Sequence, residues 1–112
     1  MDIDGTIVKH NGHKLIDKEQ LLPEVKNFLE RNIRKEDTII LTTSREDNES
    51  FYIKNLIKDI CKCSVKLVSQ LPHGERILIN DQKESGLNTA YAINVKRDGG
   101  LSNVCIEYDS TL

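Results

Sequence analysis

The chain has no run of apolar residues approaching the roughly 20 that a membrane-spanning helix requires. It also shows no secretory leader ahead of its acidic start. Both absences predict a cytoplasmic protein with no membrane partner. Aromatic residues are only 4% of the chain, which leaves few rings on which single-stranded bases can stack. Charge of neither sign dominates, with 30% of residues charged and a formal net charge of −2. Bulk attraction to a polyanion is therefore not expected, and neither is nucleic acid as a partner, although a local basic groove is compatible with this balance. Cysteine is scarce, and Cys61, Cys63 and Cys105 leave an odd one over. The Cys61-Lys62-Cys63 spacing is too short for the usual zinc pairs and has no second pair to match it. Reduced thiols are expected. Internal repeats and low-complexity segments are also lacking. The 112 residues make one domain with a modest core.

What the chain does have is concentrated at its start, in Met1-Asp2-Ile3-Asp4-Gly5-Thr6. Two carboxylates this close repel each other unless a cation lies beside them or one of them keeps a proton. Either state is useful, because one carboxylate can attack an electrophile while its neighbour handles a proton. Gly5 permits a sharp turn and a close approach of ligand to backbone. Thr6 adds a hydroxyl.

Further along, Lys9-His10-Asn11-Gly12-His13 reads as an exposed loop, in which His10 and His13 are solvated rather than metal-bound. Asp17 can cap a first turn, and Pro23 suits the first position of a helix running through Leu29. Val25, Phe28 and Leu29 give that helix one apolar face. Thr38-Ile39-Ile40-Leu41 reads as a buried parallel strand ending in Thr42-Thr43-Ser44-Arg45. A hydroxyl and a basic residue at such a strand end can bind a phosphate oxygen, but they fit a plain polar end with a capping Ser44 equally well. An amphipathic helix is predicted over 49–60, with Phe51, Ile53, Leu56, Ile57 and Ile60 as its buried stripe. Ser64 to Ser69 alternates like a strand. Arg76 to Asp81 reads as another apolar strand, ending in an acid that is costly there unless solvated or coordinated. Thr89 to Val95 and Asn103 to Tyr108 read as the last strands, separated by an Arg97-Asp98-Gly99-Gly100 turn. This order argues for an open, mainly parallel α/β sheet, in which ligands lie beyond the carboxyl ends of the strands.

Asp2-Ile3-Asp4-Gly5-Thr6-Ile7-Val8 closely resembles the first motif, Asp-x-Asp-Gly-Thr, of the haloacid dehalogenase superfamily of phosphatases and phosphotransferases. Thr43-Ser44-Arg45 looks like its second motif, with Thr42 the alternative by one position, and Asp81 after an apolar strand looks like its fourth. The resemblance covers nearly the whole chain. It implies a three-layer Rossmann-like fold with a mainly parallel sheet, and phosphoryl transfer through an aspartyl-phosphate. Asp2 would be the nucleophile and Asp4 the acid and base. Thr43 would hold phosphoryl oxygens, with Gly5, Thr6, Ser44 and Arg45 lining the substrate. Mg²⁺ would be held by Asp2, Asp81 and the backbone carbonyl of Asp4, screening carboxylate from phosphate.

This sequence departs from the family pattern in two ways. The third-motif lysine has no clear counterpart among Lys66, His73, Arg76 and Lys83. The apolar central strand that precedes the first motif is represented by Met1 alone, so upstream residues are expected in the natural protein. Without that strand, a loss of several kcal/mol is expected from a total of about 5–15 kcal/mol. No cap domain fits between Thr6 and Thr38 or between Thr43 and Asp81. The resulting open site suits phosphorylated sugars, nucleic-acid ends or phosphoproteins, or a partner subunit as lid, with a phosphorylated small molecule the preferred substrate. Leu71 to Leu101 is similar to small members associated with surface-sugar biosynthesis, which points to a sugar phosphate. Other readings are a catalytically idle binding or regulatory module on the same fold, and a polynucleotide end-phosphatase. A response-regulator receiver would want its acceptor Asp after a middle strand.

Overall fold

Two β-branched, apolar stretches build the sheet. In the computed structural model, which describes residues 1–10 and 20–107, β1 (Thr38–Thr42) pairs in parallel with β2 (Ser64–Val68). The register sets Thr38 opposite Ser64 and Thr42 opposite Val68. Side chains alternate across the sheet, so Ile39, Leu41 and Val65 enter the core while Thr38, Ile40, Ser64 and Lys66 face outward.

Parallel strands need a crossover, and α2 (Phe51–Cys61) supplies it. Its buried residues are Ile53, Ile57 and Cys61, one narrow stripe at four-residue spacing. The wider stripe predicted from sequence is therefore corrected: Phe51 and Leu56 are exposed and Ile60 is only partly covered. A two-stranded sheet and one neighbouring helix are too narrow to cover more of this surface. The helix stops at Lys62, whose left-handed backbone returns its N–H to the Lys58 carbonyl at 2.8 Å. Burial, and then Cys63 beside it, pushes the Cys61 thiol up to about 11, so it packs as a neutral apolar group.

The first helix, α1 (Val25–Asn32), buries Val25, Phe28 and Leu29 as their spacing predicts. It starts two residues later than the Pro23 signal, because Pro23 and Glu24 form a turn with Glu24 in the left-handed region. Its core face meets α2. Asp17 and His13 lie outside the described residues.

The N-terminal residues join the sheet on the edge of β1 away from β2. The Met1 ammonium donates to the Ile40 carbonyl at 2.7 Å, and the Thr42 N–H donates to the Met1 carbonyl at 2.9 Å. Asp2 then bridges Thr42 in parallel, so the lateral order is Met1/Asp2, β1, β2. Ile3, Ile7 and Val8 continue inward to the core shared by both helices and the sheet.

The later part of the chain differs from its sequence pattern. Among the described residues no strand follows β2, although 76–81, 89–95 and 103–108 read as strands. Ile77, Leu78 and Ile79 are 83%, 71% and 90% exposed, so neither face of that stretch is covered. A strand needs a ladder partner to satisfy its backbone. Only Met1 and Asp2 extend along the edge beside β1 before the chain turns away, too little to template a further strand. The stretch instead closes on itself as an arm, through Asn80 to Thr89 at 2.7 Å, Gln82 to Asn88 at 2.6 Å and the Lys83 N–H to the Leu87 carbonyl at 2.9 Å. The chain rejoins the body from Val95, which packs against the core, and is anchored at Leu101, which is buried in it. The result is a small α/β domain of two helices and a two-stranded parallel sheet.

Candidate active site

The acidic loop owes its shape to alternation. Ile3 and Ile7 are fully buried, so Asp2 between Met1 and Ile3 is left at the surface and Asp4 at the boundary. The Ile3 carbonyl accepts from the N–H groups of Thr6, Ile7 and Val8 at 3.3, 2.9 and 3.2 Å, which gathers the loop around one acceptor. Gly5 makes this possible with φ +85°, a conformation that L side chains rarely adopt. The Thr6 hydroxyl donates to Asp2 Oδ2 at 3.4 Å, a long bond that leaves the carboxylate largely to solvent. Burial pushes the Met1 ammonium below its ordinary value, and the Asp2 charge opposes this in part.

The end of β1 supplies the other half. Thr43 is buried, its N–H donates to the Val68 carbonyl at 3.1 Å, and its Oγ1 accepts from the Arg45 N–H at 3.0 Å. That local bond turns the chain and drives the Arg45 side chain inward. Arg45 Nε and Nη2 then donate to the two oxygens of Asp4 at 2.9 and 2.5 Å, and Nη1 donates to the Glu49 carbonyl at 3.1 Å. The Arg45 side chain is 2% exposed and that of Asp4 15%, so the paired fork is largely out of water. A capping box between Glu46 and Glu49 holds the following 3₁₀ turn. Asp47 accepts from the Ser69 hydroxyl, and the Gln70 N–H donates to the Arg45 carbonyl at 2.8 Å.

Asp2, Asp4, Gly5, Thr6, Thr43, Ser44 and Arg45 thus belong to one rim, joined by the Asp2–Thr42 bridge and the Asp4–Arg45 pair. Arg45, expected to face a substrate, faces Asp4 instead, because a buried guanidinium needs a carboxylate partner. Ser44 stays exposed. Asp81 is exposed on the arm, where its carbonyl accepts from the Thr89 hydroxyl. Among the described residues no three His, Cys, Asp or Glu side chains are grouped to hold a metal ion. For a magnesium ion the rim therefore offers the Asp2 carboxylate and the Asp4 backbone carbonyl without Asp81. Hard oxygen donors of this kind suit Mg²⁺ when water and phosphate oxygens complete the shell. Lys66, His73, Arg76 and Lys83 are all exposed, and Arg76 is turned back on the carbonyls of Pro72 and Gly74 at 3.2 and 3.1 Å.

Comparison with protein families, curated proteins and solved structures returns no match. The chemistry of the rim follows from its own residues.

Two of those residues carried only a turn signal in the sequence. The Asp98 N–H donates to the Gly5 carbonyl at 2.8 Å, and Asp98 Oδ1 accepts from the His10 N–H at 2.7 Å. Arg97 lies beside the same loop, its Cγ 3.1 Å from where a Gly5 Cβ would stand. An Asp ahead of Gly-Gly is a residue that tolerates positive φ, and Asp98 has φ 61°. That tolerance is the signal, but it does not say which loop the turn meets.

Proposed function

We propose that this chain is a phosphomonoester hydrolase that works through an aspartyl-phosphate on Asp2, on a haloacid-dehalogenase-like, three-layer fold. The carrying observation is the division between two neighbouring carboxylates. Asp2 is exposed beside the β1 terminus, whereas Asp4 is held in a fork by the buried Arg45. An exposed Asp2 carboxylate is suited to attack, and Asp4 stands beside it to serve the leaving oxygen once one of its own oxygens leaves the fork.

In the first step an Asp2 oxygen bonds to phosphorus while the ester P–O bond breaks, and the leaving oxygen takes a proton from Asp4. In the second step Asp4 takes a proton from water, whose oxygen bonds to phosphorus as the bond to Asp2 breaks. Asp2 is regenerated and inorganic phosphate leaves. For Asp4 to carry that proton, one of its oxygens must leave the Arg45 fork. Thr43, at the β1 end, and Ser44 would help hold the phosphoryl oxygens. Mg²⁺, held by Asp2 and the Asp4 carbonyl, would lower the repulsion between carboxylate and phosphate. The open rim suits small phosphorylated substrates, with sugar phosphates the favoured class.

A second reading has its own observation. With both Asp4 oxygens engaged by Arg45, the pair also suits an idle binding module in which Asp4 is structural. Hydrolysis of p-nitrophenyl phosphate and a panel of sugar phosphates, with and without Mg²⁺, separates the two. The phosphatase reading expects turnover that requires Mg²⁺ and falls at least a hundredfold in Asp2→Asn. Turnover that is absent throughout leaves the binding module, and turnover unchanged by Asp2→Asn removes Asp2 as the nucleophile.

A further inference from the structure

We propose that Arg97 is the anion-binding side chain of this rim and that Asp98 positions it, an inference that rests on the phosphatase reading for its substrate class. A phosphoryl group approaching Asp2 and Asp4 meets two carboxylates and needs a cation on the protein side. Arg45 cannot meet that need, because its guanidinium is buried and turned to Asp4 and the Glu49 carbonyl. Lys66, at the middle of β2, faces outward, Arg76 is folded onto its own loop, and Lys83 belongs to the tip of the arm. Arg97 is different. Its aliphatic stem lies against Gly5, inside the Asp2–Thr6 loop itself, and its side chain is exposed. Among the described residues no carboxylate is paired with it.

The contact depends on Gly5 as much as on Arg97. A Cβ at Gly5 would stand 3.1 Å from Arg97 Cγ and 3.9 Å from Cδ, so a side chain there would push the arginine off the loop. The turn that carries Arg97 is fixed at both ends. Asp98 binds the loop twice, through the Gly5 carbonyl and the His10 N–H, and the Leu101 N–H donates to the Pro23 carbonyl at 3.1 Å. A flexible cation would lose side-chain and backbone entropy on meeting an anion. One whose backbone is already fixed against the acidic loop loses less.

The alternative for Arg97 is purely structural, a stem that covers Gly5 while its charge rests in water. Binding of inorganic phosphate, followed by NMR titration or calorimetry, and the kinetics of p-nitrophenyl phosphate hydrolysis distinguish the two roles. Arg97→Ala is expected to weaken phosphate binding and raise KM by about tenfold or more, the scale of a lost charge-assisted hydrogen bond. Arg97→Lys should recover part of that loss, and Lys96→Ala, on the same turn, should recover the wild-type values. Asp98→Ala should weaken phosphate binding in the wild-type background and add little to Arg97→Ala, because Asp98 acts through Arg97. Phosphate affinity and KM unchanged in Arg97→Ala, or no phosphate binding by the wild-type chain, overturn the proposal. Phosphate binding that depends on Arg97 without any turnover would retain the site and remove the phosphatase reading. Turnover that depends on Asp2 but is indifferent to Arg97 would do the reverse.

Discussion

At the scale of single residues, the Asp4–Arg45 pair joins structure to chemistry. Its geometry is bidentate and the arginine is nearly inaccessible, so water cannot replace either partner when the other is removed. Arg45→Met keeps much of the stem but leaves Asp4 without its fork. Breaking a buried pair on one side typically costs about 3–5 kcal/mol, and the residual exposure of Asp4 puts this case near the lower end. Urea denaturation of the two chains measures it, and a loss below about 1 kcal/mol would class the pair with exposed surface bridges. The sequence carried both residues as candidates but in separate roles. Asp4 belongs to an acidic motif and Arg45 to a strand end, and only the turn made by the Thr43 hydroxyl aims one at the other. A pairing across the fold has no local pattern to reveal it. Arg97 and Asp98 were illegible for the same reason, since their partner loop lies at the other end of the chain.

At the scale of elements, β1, α1, α2 and β2 were legible because each meets its own requirement for burial. Ile39 and Leu41, Val25 with Phe28 and Leu29, and Ile53 with Ile57 repeat at the strand or helix period and are buried, although α2 leaves Phe51 and Leu56 of its predicted stripe exposed. The stretch from Arg76 to Asp81 has the composition of a buried strand without being one. Composition describes a residue's preference for a sheet, whereas a strand also needs a neighbour in register. The turn after Val95 shows how tightly a segment without regular structure can be held. Gly100 has φ +75°, and a Cβ there would lie 2.1 Å from the Pro23 carbonyl oxygen, a backbone atom that cannot swing aside. Gly100→Ala must therefore lift Leu101 from the core or displace the start of α1. A loss of roughly 2–4 kcal/mol is expected, the range of severe core disruption. With about 4–8 °C per kcal/mol for a domain of this size, the melting temperature should fall by about 10 °C or more. Gly86→Ala, on the arm with nothing within 4 Å, serves as the control. Its own positive φ of 89° carries a strain cost, but no packing cost is added. Equal losses in the two variants would show that the Pro23 contact contributes nothing.

At the scale of the whole molecule, the order of elements pointed to the α/β class that the fold has, while the distribution of mass is set by which surfaces find partners. The radius of gyration is 14.8 Å and the principal extents are 49 × 29 × 25 Å. A compact domain of this length would have a radius near 13 Å. The elongation agrees with a body formed by the two helices and the sheet and an arm in which every residue from Pro72 to Asn88 is exposed. Protease attack follows the free energy of local opening, which is low where few apolar contacts hold the backbone. Trypsin at low ratio should therefore cut first after Arg76 and Lys83, both exposed on the arm. It should spare Arg45, whose side chain is locked to Asp4 and whose carbonyl accepts from the Gln70 N–H. The fragment after Lys83 should stay with the body after nicking, because Leu101 is buried in the core and its N–H is bound to Pro23. Mass spectrometry of early digests together with size exclusion tests both parts. First cuts within α2 would mean that the arm is more tightly held than the crossover helix, and release of the fragment would mean that Leu101 does not anchor it. Retention has a consequence for function as well. A nicked chain that keeps the Lys96–Gly100 turn on the acidic loop should bind inorganic phosphate as the intact chain does.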